Sequence, residues 1–231
     1  NTQIYKVSSF EMNDLNLVKR IALTKKPMII STGLANLKEI EITVLTAKKY
    51  GCKDLTLLYC VSNYPSNDND FNLANIEILK KKFKCRVGLS DHSIGSNIAC
   101  LAISKGAEVV EKHIYLKNIN SVDSKFSLRA DQIKQFIMKI NTAQKITTNK
   151  EFIRSKAELK NKIFRRSIFA IKDIKKGEKF TNENIKTFRP NLGLSASFFL
   201  KILNKKSPIK IKKKYPLSNN LIKLLKINTN K

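Results

Sequence analysis

The chain has 231 residues, 45 Lys and Arg against 18 Asp and Glu, and a formal charge of +27, with length for one good core or one and a half. The basic residues are mostly Lys scattered among Asn and Ile, with no interleaved aromatics and no zinc-finger, recognition-module or basic-zipper pattern. This argues against a nucleic-acid binder and leaves a salt-sensitive pull on anionic substrates. No apolar run reaches the ~18 residues of a membrane span and no signal peptide is visible, so a membrane partner is not expected either.

Residues 4–8 read as a strand that begins almost at Asn1, and the chain is expected to be the middle of a larger protein. Residues 13–24 read as a helix, with Leu15, Val18 and Ile21 at helical spacing. A buried strand over 27–32 ends at Gly33, and Asn36 caps a helix whose Leu37, Ile40, Val44 and Ala47 make one apolar stripe closed by Gly51. The next strand spans 55–60, with a loop at 62–65, a polar stretch at 66–70, and a helix carrying Leu73, Ile76 and Leu79. Strands over 87–92 and 108–113 bracket a helix at 96–105 closed by Gly106, and a further helix is predicted over 130–144. The cysteines, Cys52, Cys60, Cys85 and Cys100, lie in or beside apolar runs without C-x-x-C spacing; buried, reduced thiols in a cytoplasmic protein are expected.

Strands alternating with helices every 20 to 30 residues predict right-handed βαβ units and a parallel sheet. Each of the five strands turns polar at its C-terminal end, which favours a (β/α) barrel over a doubly wound sheet. Five strands do not close an eight-stranded barrel, so an incomplete barrel with exposed apolar edge strands is expected. The predicted organisation is a partial TIM-barrel domain at 1–146, a polar linker at 147–161, and a small, mostly β domain at 162–231. In the last of these, 166–174 is strand-like, Lys175 to Gly177 is a turn, Thr181 begins a helical turn, and a short helix lies at 195–203.

Histidine occurs only at His92 and His113, each at the polar end of one of these strands. Strand alternation puts Ser90 with His92 on one face and Glu111 with His113 on one face, with Asp91 and Lys112 pointing the other way. If the two strands are parallel neighbours, the imidazoles converge as a candidate site for Zn, Mn, Fe or Co. Two unrelated histidines satisfied by local hydrogen bonds remain the alternative.

The order of Lys6-Val-Ser-Ser-Phe-Glu11, Ile30-Ser-Thr-Gly33, Cys60-Val-Ser-Asn-Tyr-Pro65, Gly88-Leu-Ser-Asp-His-Ser-Ile-Gly95, Gly106-Ala-Glu-Val-Val-Glu-Lys-His113, and the run from Lys172 through Arg189-Pro190 resembles the sialic acid synthase family. Its members are N-acetylneuraminate, legionaminate and pseudaminate synthases. The resemblance implies the C-terminal part of a TIM (β/α)8 barrel followed by an antifreeze-like SAF (β-clip) domain, with the family's first three barrel strands absent here. It implies condensation of phosphoenolpyruvate with an N-acetylated amino sugar to a nine-carbon 2-keto acid, with phosphate released. His92 and His113 would hold a divalent metal, Mn²⁺ in the first place, with Mg²⁺ or Co²⁺ as alternatives. Lys6, Ser9, Ser62, Tyr64 and Ser90 would contact phosphoenolpyruvate. Glu111 and Asp123 would hold the sugar, and Arg189 would reach it from the partner of a domain-swapped homodimer. His92, His113, Glu111 and Asp123 are the implied catalytic residues.

Ser62 departs from the Asn frequent in neuraminate synthases. Ser121-Val-Asp-Ser-Lys-Phe-Ser127 replaces the usual Gly-Pro-Asp-His and resembles pseudaminate synthases, whose acceptor is a 2,4-diacetamido-2,4,6-trideoxy hexose. Phe126 would offer a more apolar wall to a sugar lacking the 6-hydroxyl. Residues 60–65 also resemble legionaminate synthases, and an inactive carbohydrate-binding fragment is a further alternative.

Overall fold

The structure is a computed structural model describing residues 2–116, 119, 121–148 and 151–228. It divides into two units, Asn1–Lys150 and Glu151–Lys231, each described here by itself.

In the first unit the chain alternates β1 (Tyr5–Val7), α1 (Leu15–Ala22), β2 (Met28–Ser31), α2 (Leu37–Lys49), β3 (Leu55–Cys60), α3 (Ala74–Phe83), β4 (Arg86–Asp91), α4 (Asn97–Ser104) and β5 (Val110–Lys112). Two-residue strands β6 (Ile114–Tyr115) and β7 (Leu128–Arg129) and helix α5 (Ile133–Thr147) follow. Strands β1 to β5 form one sheet in sequence order, every neighbouring pair parallel, and the sheet is open between β1 and β5.

Side-chain caps start the first two helices, the second at the predicted Asn36. Asp14 accepts from the amides of Asn16 and Leu17 at the head of α1. Asn36 and Glu39 form a reciprocal capping box on α2, worth about 1 kcal/mol. The helix over 13–24 is shorter than expected, and Leu15 and Leu37 at the first turns are exposed while Val18, Ile40, Val44 and Ala47 are buried. The helix predicted over 130–144 begins at Ile133, after a 3-10 turn at Ala130–Gln132 where Asp131 bonds back to the Arg129 guanidinium at 2.6 Å.

One face of the sheet, carrying Val7, Met28, Ile30, Leu55, Leu57, Tyr59, Val87 and Leu89, packs on the helices as the main core. The other face carries Lys6, Ser31, Leu58, Cys60, Gly88, Ser90 and Glu111, so polar groups accumulate toward the strand ends. The sheet is an incomplete barrel, as expected; its edge strands β1 and β5 are each three residues long and carry charge as well as apolar groups, Lys6 exposed on one and Glu111 and Lys112 part-buried on the other. Short, charged edges discourage pairing with stray strands.

In the second unit, α6 (Lys156–Lys160) lies within the stretch predicted as linker. Strands β8 (Ser167–Ala170) and β9 (Ile185–Phe188) pair antiparallel, and α7 (Phe199–Ile202) and α8 (Leu221–Leu224) complete the unit. The strand expected over 166–174 stops at Ala170; the chain bends, and Ile174 pairs with Ile211 instead. Ile168, Ile174, Phe180, Ile185, Leu194, Ile211 and Leu217 form a separate core.

Candidate active site at the strand ends

His92 and His113 follow β4 and β5 directly, and parallel pairing sets them side by side. Their ring centroids are 5.3 Å apart, inclined by 61°. His92 is 3 % exposed. Its Nδ1 lies 2.9 Å from the Val61 carbonyl oxygen, which only accepts, so Nδ1 carries the proton and Nε2 keeps its lone pair in the neutral ring. His113 Nδ1 lies 3.5 Å from Asp123 Oδ2, a longer contact that turns this nitrogen toward a carboxylate. Metal-binding imidazoles characteristically commit their second nitrogen in this way. Two imidazoles on one ion, with metal–nitrogen bonds of about 2.1 Å, place their centroids about 4.6–5.3 Å apart. The 5.3 Å separation of this pair falls in that range, while among the described residues no group of three His, Cys, Asp or Glu side chains converges as a ligand cluster.

Tyr64 and Phe126 wall this pair. The Tyr64 ring is 4.1 Å from His92 and 6.2 Å from His113, and Phe126, 5 % exposed, is 5.2 Å from His113 and 5.3 Å from Tyr64. Phe126 thus points into the cluster, held by the loop between β6 and β7. Burial and the negative neighbours Cys60, Asp123 and Glu111 raise the Tyr64 pKa, keeping its phenol a donor.

Beside the rings, Ser90 Oγ donates to Glu111 Oε1 at 2.7 Å, and Lys6 Nζ stands 3.3 Å from the same oxygen. Ser9 Oγ accepts from the Gly33 amide at 3.1 Å. A Cβ on Gly33 would fall 2.1 Å from Ser62 Oγ and 2.8 Å from Ser9 Oγ, so only glycine lets β2 end between these hydroxyls. The structure therefore brings Lys6, Ser9, Ser62, Tyr64, Ser90, His92, Glu111, His113 and Asp123 to one end of one sheet. Arg189 lies exposed after β9, in the second unit.

Two further participants, Ser31 among the polar strand-end residues and Cys60, were given no role from the sequence. Cys60 Sγ is 3.9 Å from His92 Nδ1 and 3.7 Å from Ser62 Oγ. Burial pushes this thiol up, but contacts with His92, Ser9 and Ser62 outweigh it, and the pKa falls below the ordinary value. For His92, burial pulls the pKa down while Cys60 and the Val61 carbonyl outweigh it and raise it. Ser31 Oγ is buried without a hydrogen-bond partner among the described residues, on the polar face of the sheet. An orphaned hydroxyl there is a donor in waiting. The alternation that exposed Ser90 and His92 to the site would have found both.

A parallel sheet whose strand ends gather donors, carboxylates and two imidazoles is the plan of a barrel enzyme. Residues 1–152 match the NeuB family and residues 165–223 the SAF domain, so the chain belongs to the NeuB family and has a TIM-type barrel portion followed by a SAF domain. It is 44% identical over 209 residues to the pseudaminic acid synthase of Campylobacter jejuni, covering 90% of this chain and 61% of that protein. It is 42% identical over 207 residues to the N,N'-diacetyllegionaminic acid synthase of the same species, covering 88% and 62%. The crystal structure of a spore coat polysaccharide biosynthesis protein E from Chromobacterium violaceum superposes with a TM-score of 0.68 at 26% identity, over 94% of this chain and 66% of that one. The chain thus spans about three fifths of the length of these curated relatives. No helix among the described residues is long and apolar enough to cross a membrane.

Proposed function

We propose that the protein is a nonulosonic acid synthase that condenses phosphoenolpyruvate with a 2,4-diacetamido-2,4,6-trideoxy hexose. The observation that carries this is the convergence of His92 and His113, with the Nε2 of His92 left free by the bond of its Nδ1 to Val61. These two residues would hold a divalent ion, Mn²⁺ in the first place, which when bound supplies a Lewis acid for the sugar's aldehyde oxygen. Lys6, Ser9, Ser31, Ser62, Tyr64 and Ser90 supply the donors that the phosphate and carboxylate of phosphoenolpyruvate require. Glu111 and Asp123 accept hydrogen bonds from sugar hydroxyls. The enol carbon bonds to the aldehyde carbon, whose oxygen takes a proton. Water then adds at the resulting oxocarbenium carbon, and inorganic phosphate leaves to give the 2-keto acid. Phe126 lies against both imidazoles, and an apolar ring suits an acceptor without a 6-hydroxyl. In a homodimer, Arg189 of one copy would complete the sugar site of the other.

A legionaminate-type acceptor, which also carries two acetamido groups, is the second reading, favoured by the 42% identical relative, and offering the trideoxy hexose in its two stereochemical forms separates it from the first. The test is phosphate release from phosphoenolpyruvate with Mn²⁺, offering the trideoxy hexose and N-acetylmannosamine in parallel. Faster turnover of the trideoxy sugar, abolished by His92→Ala or His113→Ala with the fold retained, is expected. Turnover that survives both substitutions would remove the metal role, and faster turnover of N-acetylmannosamine would reassign the acceptor.

A further inference from the structure

Directly behind the two imidazoles, on the opposite face of the sheet, Asp91 and Lys112 are register partners on β4 and β5. Their side chains are 0% and 5% exposed, and Lys112 Nζ lies 2.9 Å from Asp91 Oδ2. Asp91 Oδ1 accepts from the Ser93 amide at 2.9 Å and the Ser93 hydroxyl at 2.7 Å, while Lys112 Nζ also donates to the Ser93 carbonyl. The same face of β4 otherwise carries Val87 and Leu89, both fully buried. Removing two charges from water costs several kcal/mol each, and an apolar pair of similar volume is often as stable or more so. Stability alone therefore gives no reason for an ion pair at this position.

Geometry does. The bond from the Ser93 amide to Asp91 closes a turn around His92, fixing the backbone of the residue at its centre. Lys112, the residue before His113, grips both ends of that turn, the carboxylate before His92 and the carbonyl after it. One ammonium thus ties the segment bearing one imidazole to the strand bearing the other, where both chains are leaving the sheet and ladder bonds no longer hold them.

We propose that Lys112 and Asp91, with Ser93, are positioning residues that hold His92 and His113 at the separation needed to share one divalent ion. This rests on the two-histidine site proposed above. The test is titration of the full chain with Co²⁺ alone, followed by its visible ligand-field absorption, with thermal unfolding measured alongside. The double variant Asp91→Asn, Lys112→Met keeps an acceptor for the Ser93 amide and leaves no buried charge unpaired. It is expected to fold with little change in melting temperature but to bind Co²⁺ at least tenfold more weakly, with an altered spectrum, the scale on which groups supporting metal ligands act. His92→Ala is expected to abolish binding. If the folded double variant binds within threefold of the unmodified chain, the positioning role is overturned and the two-histidine site stands. If His92→Ala binds as tightly as the unmodified chain, both fall. Should the double substitution unfold the chain, Lys112→Gln carries the same test, since it removes the ammonium that spans the turn while keeping a donor for Asp91, with severalfold weaker Co²⁺ binding expected and unchanged binding overturning the proposal.

Discussion

Glu111 shows how one side chain is shared between two tasks. Its Oε1 holds Ser90 and faces Lys6, so the cation best placed to attract a phosphoryl or carboxylate group is partly neutralised while the site is empty of substrate. Both partners are about a third exposed, and such a pair is worth about 0.2–1 kcal/mol. Glu111→Gln keeps an acceptor for Ser90 and removes the counter-charge. Steady-state kinetics should therefore show the KM for phosphoenolpyruvate falling by up to about fivefold, while kcat falls because a sugar hydroxyl loses its carboxylate. A KM that rises would mean that Glu111 orients Lys6 rather than competing with substrate for it. Phe126 makes the second residue-scale prediction. A hydroxyl added to this ring faces either a sugar methyl or a sugar hydroxymethyl. Phe126→Tyr should shift the ratio of kcat/KM for the trideoxy hexose over N-acetylmannosamine toward the latter by about tenfold, the value of one mismatched group in an apolar pocket. An unchanged ratio would place Phe126 away from the sugar's C6.

At the scale of elements, the sheet depends on one close approach. Gly88 lies on the polar face of β4, and a Cβ there would meet the Val109 carbonyl oxygen at 2.2 Å and Leu58 Cδ2 at 2.8 Å. A backbone carbonyl does not swing aside as a flexible side chain does. Gly88→Ala should cost about 1–3 kcal/mol, lowering the melting temperature by about 3–10 °C, and it should loosen β4 against β5, where both imidazoles are carried. A melting temperature unchanged within a degree would show that the strands separate freely. The strands themselves were legible in the sequence, because a buried parallel strand is a short apolar run with few other interpretations. Alternation likewise assigned Ser90 and His92 to one face and Asp91 to the other, since a period of two leaves no third choice. The strand pair β6 and β7, two residues each, carried no such signal, yet it sets the loop that aims Phe126 and Asp123 at His113. Nor did the second unit read cleanly. Beyond the β8–β9 pair it is held by isolated bridges such as Phe169 to Pro216 and Lys179 to Lys206, and single bridges impose no periodicity on a sequence.

The described residues hold two buried clusters that share no residue, one between Val7 and Ala107 and one between Ile168 and Ile222. All the site residues gathered at the strand ends belong to the first unit, and Arg189 belongs to the second. If Arg189 serves the sugar as proposed, it does so within one copy or across two, and a mixing experiment separates these cases. His92→Ala disables the strand-end site and Arg189→Ala disables the arginine, so each variant alone is expected to be inactive or nearly so. In a domain-swapped dimer, a mixed pair contains one site with both defects and one with neither. After co-refolding equal amounts, half of the dimers are mixed and each has one intact site, so phosphate release should recover to about a quarter of that of the unmodified protein. If Arg189 serves the site of its own copy, every site in the mixture carries one defect and no recovery follows. Recovery near a quarter would establish that the active site is built by two chains, and none in a mixture shown to contain mixed dimers would confine the site to one.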